Sequence, residues 1–231
     1  MTSKILAIET SSEACSVALS LGSNTLYRHT DQPRKHAELV LPMVHELLAE
    51  TGLLLTDLDA IAYGRGPGAF TGLRIAAGIV QGLAFGAGLP VVAISSLAVL
   101  AHGAWREAGV ERCHAAFDAR MGEVYWGSYE IAGEGRVTLM GRECVCAPDE
   151  VAKTAGVISA SGWSGVGSGW SYQKSLELST GPLQQCLPSL LPHSLDLLAL
   201  AKTGLKAGDV MSAEQVVPVY LRNNVAEKSK K

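Results

Sequence analysis

The chain has 231 residues, enough for one large domain or two small ones, and 48% of them are hydrophobic against 18% charged. That composition builds a packed interior and excludes a disordered chain. The 22 acidic and 19 basic residues leave a net charge of −3, so the surface as a whole does not attract a phosphate backbone. Aromatic residues, at 6%, are too few for a platform that stacks single-stranded bases.

In chain order, apolar β-prone runs at 4–9, 15–21 and 26–30, separated by Thr-Ser-Ser-Glu-Ala and by a Gly22 turn, predict an antiparallel three-strand meander. A helix is predicted over 33–51, with Leu39, Met43, Val44, Leu47 and Leu48 as its stripe and Gly52 just beyond its end. A short strand follows at 59–63, then a glycine-rich loop at 64–72, a helix at 71–86, a buried strand at 90–94, and a third helix through Ala108 capped by Ser95 or Ser96. Strands alternating with helices after the meander indicate an α/β sheet. The pattern restarts with strands at 112–117, 123–130 and 137–145, a short helix at 148–154, a strand at 157–161, a four-glycine loop at 162–169 and a helix at 193–206. The tail 227–231 reads as frayed. Two related lobes are expected, 1–108 and 109–231, the second reduced, with the helix at 193–206 packing back on the first.

The five cysteines, Cys15, Cys113, Cys144, Cys146 and Cys186, include no C-x-x-C pair and read as reduced thiols. Cys144 and Cys146 share one face of a strand but alone cannot make a zinc site. The first residues do not read as a secretory leader, and the apolar stretch at 75–89 is shorter than the ~20 residues that span a bilayer. A cytoplasmic protein without membrane association is therefore expected.

The loop 64–72 leads glycines and Pro67 into a helix start, where backbone N–H groups can face an anion; it lacks the lysine of a P-loop, leaving Arg65 and Arg74 as candidates. A structural turn and a protein contact are the other readings. Gly78, Gly82 and Gly86 recur every four residues in the helix that follows. Each costs about 0.8–1 kcal/mol of helix propensity relative to Ala, which only the close approach of another backbone offsets, either within this chain or from a partner. His36 opens the first helix, but Val40 occupies the position four residues on, so a helical metal pair is absent. Glu9-Thr-Ser-Ser at the first strand's exit resembles a phosphate hairpin in which Ser11 and Ser12 replace the flexible glycine. The nucleophile elbow G-x-S-x-G is off by one at 161–165 and has glycine in the nucleophile's place at 165–169. No triad can be read from the spacing.

Together, Ile5-Leu-Ala-Ile-Glu-Thr-Ser, His36-Ala-Glu, Gly66-Pro-Gly-Ala-Phe-Thr-Gly-Leu-Arg-Ile, Ile94-Ser-Ser-Leu, Asp118-Ala-Arg-Met-Gly-Glu-Val-Tyr and Pro218-Val-Tyr-Leu-Arg resemble the bacterial YeaZ/TsaB family through almost the whole chain. The resemblance implies an actin-like ATPase fold (the Hsp70/actin superfamily) with two lobes of β-β-β-α-β-α type. It implies a part in making threonylcarbamoyladenosine next to the anticodon of tRNAs that read codons beginning with A. The role implied is that of a non-catalytic partner of TsaD, which carries the family's metal pair, alongside TsaE and the synthase TsaC. Partner contacts are implied for the first two helices, which selects His36, Glu38, Leu39, Met43, Gly68, Phe70, Gly78, Gly82 and Gly86. No cofactor is expected beyond weak ATP or ADP binding by a vestigial site at Thr10, Ser11, Ser12 and Asp118. The tRNA is reached through the complex, and the free chain pairs with itself. The alternative is a protease-like hydrolase acting alone.

Overall fold

The computed structural model describes residues 3–22, 24–156 and 161–222. The first lobe is built from β1 (Ile5–Glu9), β2 (Cys15–Leu21), β3 (Asn24–Thr30), α1 (His36–Thr51), β4 (Ala60–Gly66), α2 (Phe70–Ala87), β5 (Val91–Ser95) and α3 (Ser96–Ala108). The second follows as β6 (Arg112–Arg120), β7 (Glu123–Ala132), β8 (Arg136–Cys146), α4 (Val151–Ala155), β9 (Ser164–Val166), α5 (Gln173–Thr180), β10 (Cys186–Leu187) and α6 (Ser194–Ala207). The first sheet has the order β3-β2-β1-β4-β5: the meander is antiparallel, and β4 and β5 add in parallel on the far side of β1. The second sheet repeats this plan as β8-β7-β6-β9-β10, with β9 and β10 cut to 3 and 2 residues.

Alternation along β1 divides its side chains between two apolar layers. Leu6 and Ile8 face Val40, Val44 and Leu47 of α1 and Ala76 and Val80 of α2. Ile5 and Ala7 face Val99 of α3 and Leu197, Leu198 and Ala201 of α6. The other side of α3, through Leu97, Leu100 and Ala104, lies on Ala115, Phe117 and Ile131 of the second sheet. The far face of that sheet, with Val124 and Trp126, is covered by Val151 of α4, Leu176 of α5 and Trp170. The order of layers is therefore helices, sheet, the shared pair α3 and α6, sheet, helices. The shared pair is pinned by Asp196, whose carboxylate accepts from His102 Nδ1 at 2.7 Å and from Arg106 Nε at 2.8 Å. Burial alone would raise Asp196, but the hydrogen bonds from Arg106 and His102 outweigh it and hold the carboxyl below its usual range.

Three expectations need correction. The first helix starts at His36 rather than at 33, because Arg34 sits at φ 66 and Lys35 at ψ 8, outside a helical run. The segment 148–154 is a 3-10 turn, Pro148–Glu150, running into α4. The four-glycine stretch 162–169 is not a loop throughout: Ser164–Val166 is a buried strand parallel to β6, and Gly165 is small because the Trp170 ring lies where its side chain would be. A strand at 157–161 was expected just upstream; residues 157–160 lie outside the described residues, as does the tail 227–231. The elements at 168–187 left no mark in the periodicity. α5 buries only Leu176 and Thr180, and β10 is two residues long.

Candidate functional site

The lobes meet along a cleft of about 930 Å³. The first lobe contributes Ser11, Ser12 and Glu13 from the β1–β2 hairpin and Gly68, Phe70 and Arg74 from the start of α2. The second contributes Phe117 to Met121 from the end of β6 and the turn into β7, Tyr125, Ser168 and Ser171. In the turn Arg120 and Met121 both take positive φ, 62 and 56, a conformation that non-glycine residues adopt rarely.

A strap formed by residues 216–222 completes the wall. Tyr63 Oη donates to Val217 O at 2.9 Å, Val219 N to Arg65 O at 2.8 Å, and Arg74 Nε to Tyr220 Oη at 2.9 Å. The Arg74 guanidinium also lies 4.0 Å over the Phe70 ring. Arg222 then crosses to the second lobe, where it pairs with Glu123 and reaches Arg120 O. Two of the three guanidiniums are thus paired, Arg120 with Asp118 and Arg222 with Glu123, which weakens the positive field a polyphosphate would meet.

The hairpin is closed on itself. Ser11 N–H donates to Glu9 Oε1 at 2.7 Å and Ala14 N–H to Ser12 Oγ at 3.2 Å, which removes two amides that a phosphate would need. Glu9 is buried, its second oxygen has no hydrogen-bond partner among the described residues, and burial raises its pKa. The glycine loop serves this closure. Gly68 and Gly72 press on the carbonyls of Ser11 and Thr10, where any Cβ would overlap. Ala69 N–H is taken by Ser11 O at 2.7 Å, and Thr10 Oγ1 donates to Gly72 O at 2.8 Å. The amide at the entry to α2 is therefore spent inside the chain and not offered to an anion.

Of the residues singled out for nucleotide contact, Ser11, Ser12 and Asp118 come together in the cleft, while Thr10 lies behind it. Asp118 accepts from Arg120 N at 2.8 Å and Arg120 Nη1 at 3.1 Å. The residues singled out for partner contact divide. Gly68 and Phe70 belong to the cleft; Glu38 is exposed and Leu39 half-buried on α1. His36 and Met43 are corrected: both are buried, His36 with Nε2 3.1 Å from Ala14 O and Met43 in the core beneath α1, so neither offers surface to a partner. Gly78, Gly82 and Gly86 stand on the open side of α2, and a Cβ on any of them would meet no atom within 4 Å. The reading in which this ridge packs inside the chain is overturned. α2 is as apolar as a membrane-crossing segment, with a mean hydropathy of 1.3 over 18 residues, yet only a third of it is buried; the buried side rests on the first sheet through Leu73, Ala76, Val80 and Ala84.

Among the described residues no cluster of three or more His, Cys, Asp or Glu side chains could hold a metal. Sequence reasoning missed Phe117 as a site residue, and it placed Tyr125, Tyr220 and Arg222 only as parts of family motifs. Nothing in their spacing points to a cleft formed by segments a hundred residues apart.

A family model described as TsaD, tRNA N6-adenosine threonylcarbamoyltransferase, matches residues 30–230. The chain is 45% identical to the tRNA threonylcarbamoyladenosine biosynthesis protein TsaB of Escherichia coli K12, over 97% of both chains. It is 39% identical to TsaB of Haemophilus influenzae, over 97% of this chain and 95% of that one. Among solved structures, YeaZ from Pseudomonas aeruginosa superposes with a TM-score of 0.87 at 50% identity, covering 95% of this chain and all of that one.

Proposed function

Since the chain belongs to the TsaB (YeaZ) family, with its actin-like fold, we propose that it is a non-catalytic partner of TsaD in forming threonylcarbamoyladenosine on tRNA. The observation that carries this reading is the open ridge of α2. Three glycines spaced four residues apart lower the helix's own stability, and among the described residues no group uses the flat surface they create. A second helix can approach that surface closely, as small residues at four-residue spacing allow. TsaD supplies the helix in the heterodimer; in its absence two copies of this chain pair through the same face by a two-fold axis. TsaE joins the assembly, and tRNA is held by the other subunits, in keeping with the net charge of −3.

The cleft supports a partner more than an enzyme. Two of its hairpin amides are spent on Glu9 and Ser12, which supports a role that needs no nucleotide. A protease-like reading gains nothing from the buried Ser128–His114 contact, which is closed over by Trp126 and Trp163.

The test is threonylcarbamoyl transfer to tRNA by purified TsaC, TsaD and TsaE. Transfer is expected only when this chain is added, and none is expected from the chain alone. Full transfer without it would remove the proposed role.

A further inference from the structure

Cys144 and Cys146 lie two residues apart on β8, both on the face that α4 covers, with their sulfurs 3.9 Å apart. β8 is the edge strand of its sheet and runs exposed over residues 138–142 before it enters the core. The thiols therefore sit where that strand dives under α4. They are 8% and 7% exposed, whereas Cys15 and Cys113 are fully enclosed. The joint is drawn tight around them: Arg142 Nε donates to Thr154 O at 2.7 Å, and Gly141 packs against Ala155 O. Among the described residues these are the two sulfurs within contact of each other, and the proposed assembly makes no use of them.

We infer that Cys144 and Cys146 form a modification site, a dithiol that a hydroperoxide closes to an intramolecular disulfide. The Cys146 thiolate attacks one peroxide oxygen; an S–O bond forms, the O–O bond breaks, and hydroxide leaves. Cys144, losing its proton, attacks the Cys146 sulfur; an S–S bond forms, the S–O bond breaks, and the oxygen departs as water. In sum two thiols and one hydrogen peroxide give one disulfide and two waters, a two-electron oxidation of the thiols and reduction of the peroxide.

The electrostatics agree with this order of events. The hydrogen bond from the Cys144 thiol, followed by that from Thr154, lowers Cys146, while burial raises Cys113 and Cys15, the latter to about 11. Geometry makes the product labile. Side chains two residues apart on a strand leave it side by side, about 6.6 Å apart, whereas a disulfide draws its Cβ atoms to about 3.5–4.5 Å. The bond therefore pulls on β8 and is readily reduced, which marks a reversible site more than a structural one.

The full-length chain, reduced and then treated with hydrogen peroxide, is analysed by intact mass and by peptide mapping after alkylation. The expected result is a mass lower by two hydrogens, restored by dithiothreitol, with the bond mapped between Cys144 and Cys146. Cys186→Ser keeps the change; Cys144→Ser and Cys146→Ser abolish it. Mapping on the unaltered chain gives the answer even if a serine variant folds poorly. Added oxygen atoms without hydrogen loss, a covalent dimer, or a bond mapped to any other pair would each overturn the assignment.

Discussion

The ring of His114 stacks 4.5 Å from that of Trp163 and 4.8 Å from that of Trp126, with Nδ1 2.9 Å from Ser128 Oγ. Burial pushes its pKa down to about 3. The folded state therefore favours the neutral ring, and the stability that ring contributes is complete above about pH 6.5, the ordinary histidine value, and declines as pH falls toward 3. Within that window one proton taken up on unfolding costs up to about 1.4 kcal/mol per pH unit. Urea unfolding between pH 7 and pH 5 is expected to show this slope, and His114→Gln should remove that share of it. An unchanged slope in the variant would assign the loss elsewhere, and His193, brought down to about 4 chiefly by burial, would be the next group to examine. None of this was legible in Arg-Cys-His-Ala-Ala-Phe. The partners of His114 come from β7, from the segment before β9 and from the turn that follows it, and a strand's alternation shows which way a residue points but not what it meets.

α2 shows how far periodicity reaches. Its glycine spacing was readable, and the expected span 71–86 falls within one residue of the observed Phe70–Ala87, which Gly88 closes. Which side faced the sheet was not, since a row of glycines is silent about its neighbour. Their combined cost is on the order of 2.5–3 kcal/mol, and no contact among the described residues offsets it. Gly82→Leu should therefore leave the isolated chain folded, with equal or up to about 1 kcal/mol greater stability in thermal unfolding. The same substitution should abolish co-elution with TsaD on size exclusion. A variant that still co-elutes would place the interface on another face. Phe85, 69% exposed near the C-terminal end of the helix, extends the same open surface.

For the molecule as a whole, the repeated sheet order was half legible. The first lobe has strands long enough to alternate visibly; in the second, β9 and β10 are too short to carry a period, and their glycines imitate a loop. The cleft was less legible still, because its walls come from both lobes and from the strap. Its closed hairpin and its paired Arg120 and Arg222 lead to a direct expectation: millimolar ATP or ADP should give no heat in calorimetry with the isolated chain. A saturable signal lost in Ser11→Ala or Asp118→Ala would instead restore the vestigial nucleotide site.

α6 belongs by position to the last part of the chain but by packing to the first sheet. Its N-terminus is anchored there by Ser194 N–H donating to Ser16 Oγ at 2.9 Å, and its Leu197 and Ala201 seal the layer that contains Ile5 and Ala7. During synthesis from the N-terminus, the first lobe emerges with one apolar face only partly roofed by α3. It stays so until nearly the entire second lobe has left the ribosome. Nascent and prematurely terminated chains therefore present that face to chaperones and proteases, and a stop codon anywhere before residue 194 removes the lid of a lobe whose strands were finished a hundred residues earlier.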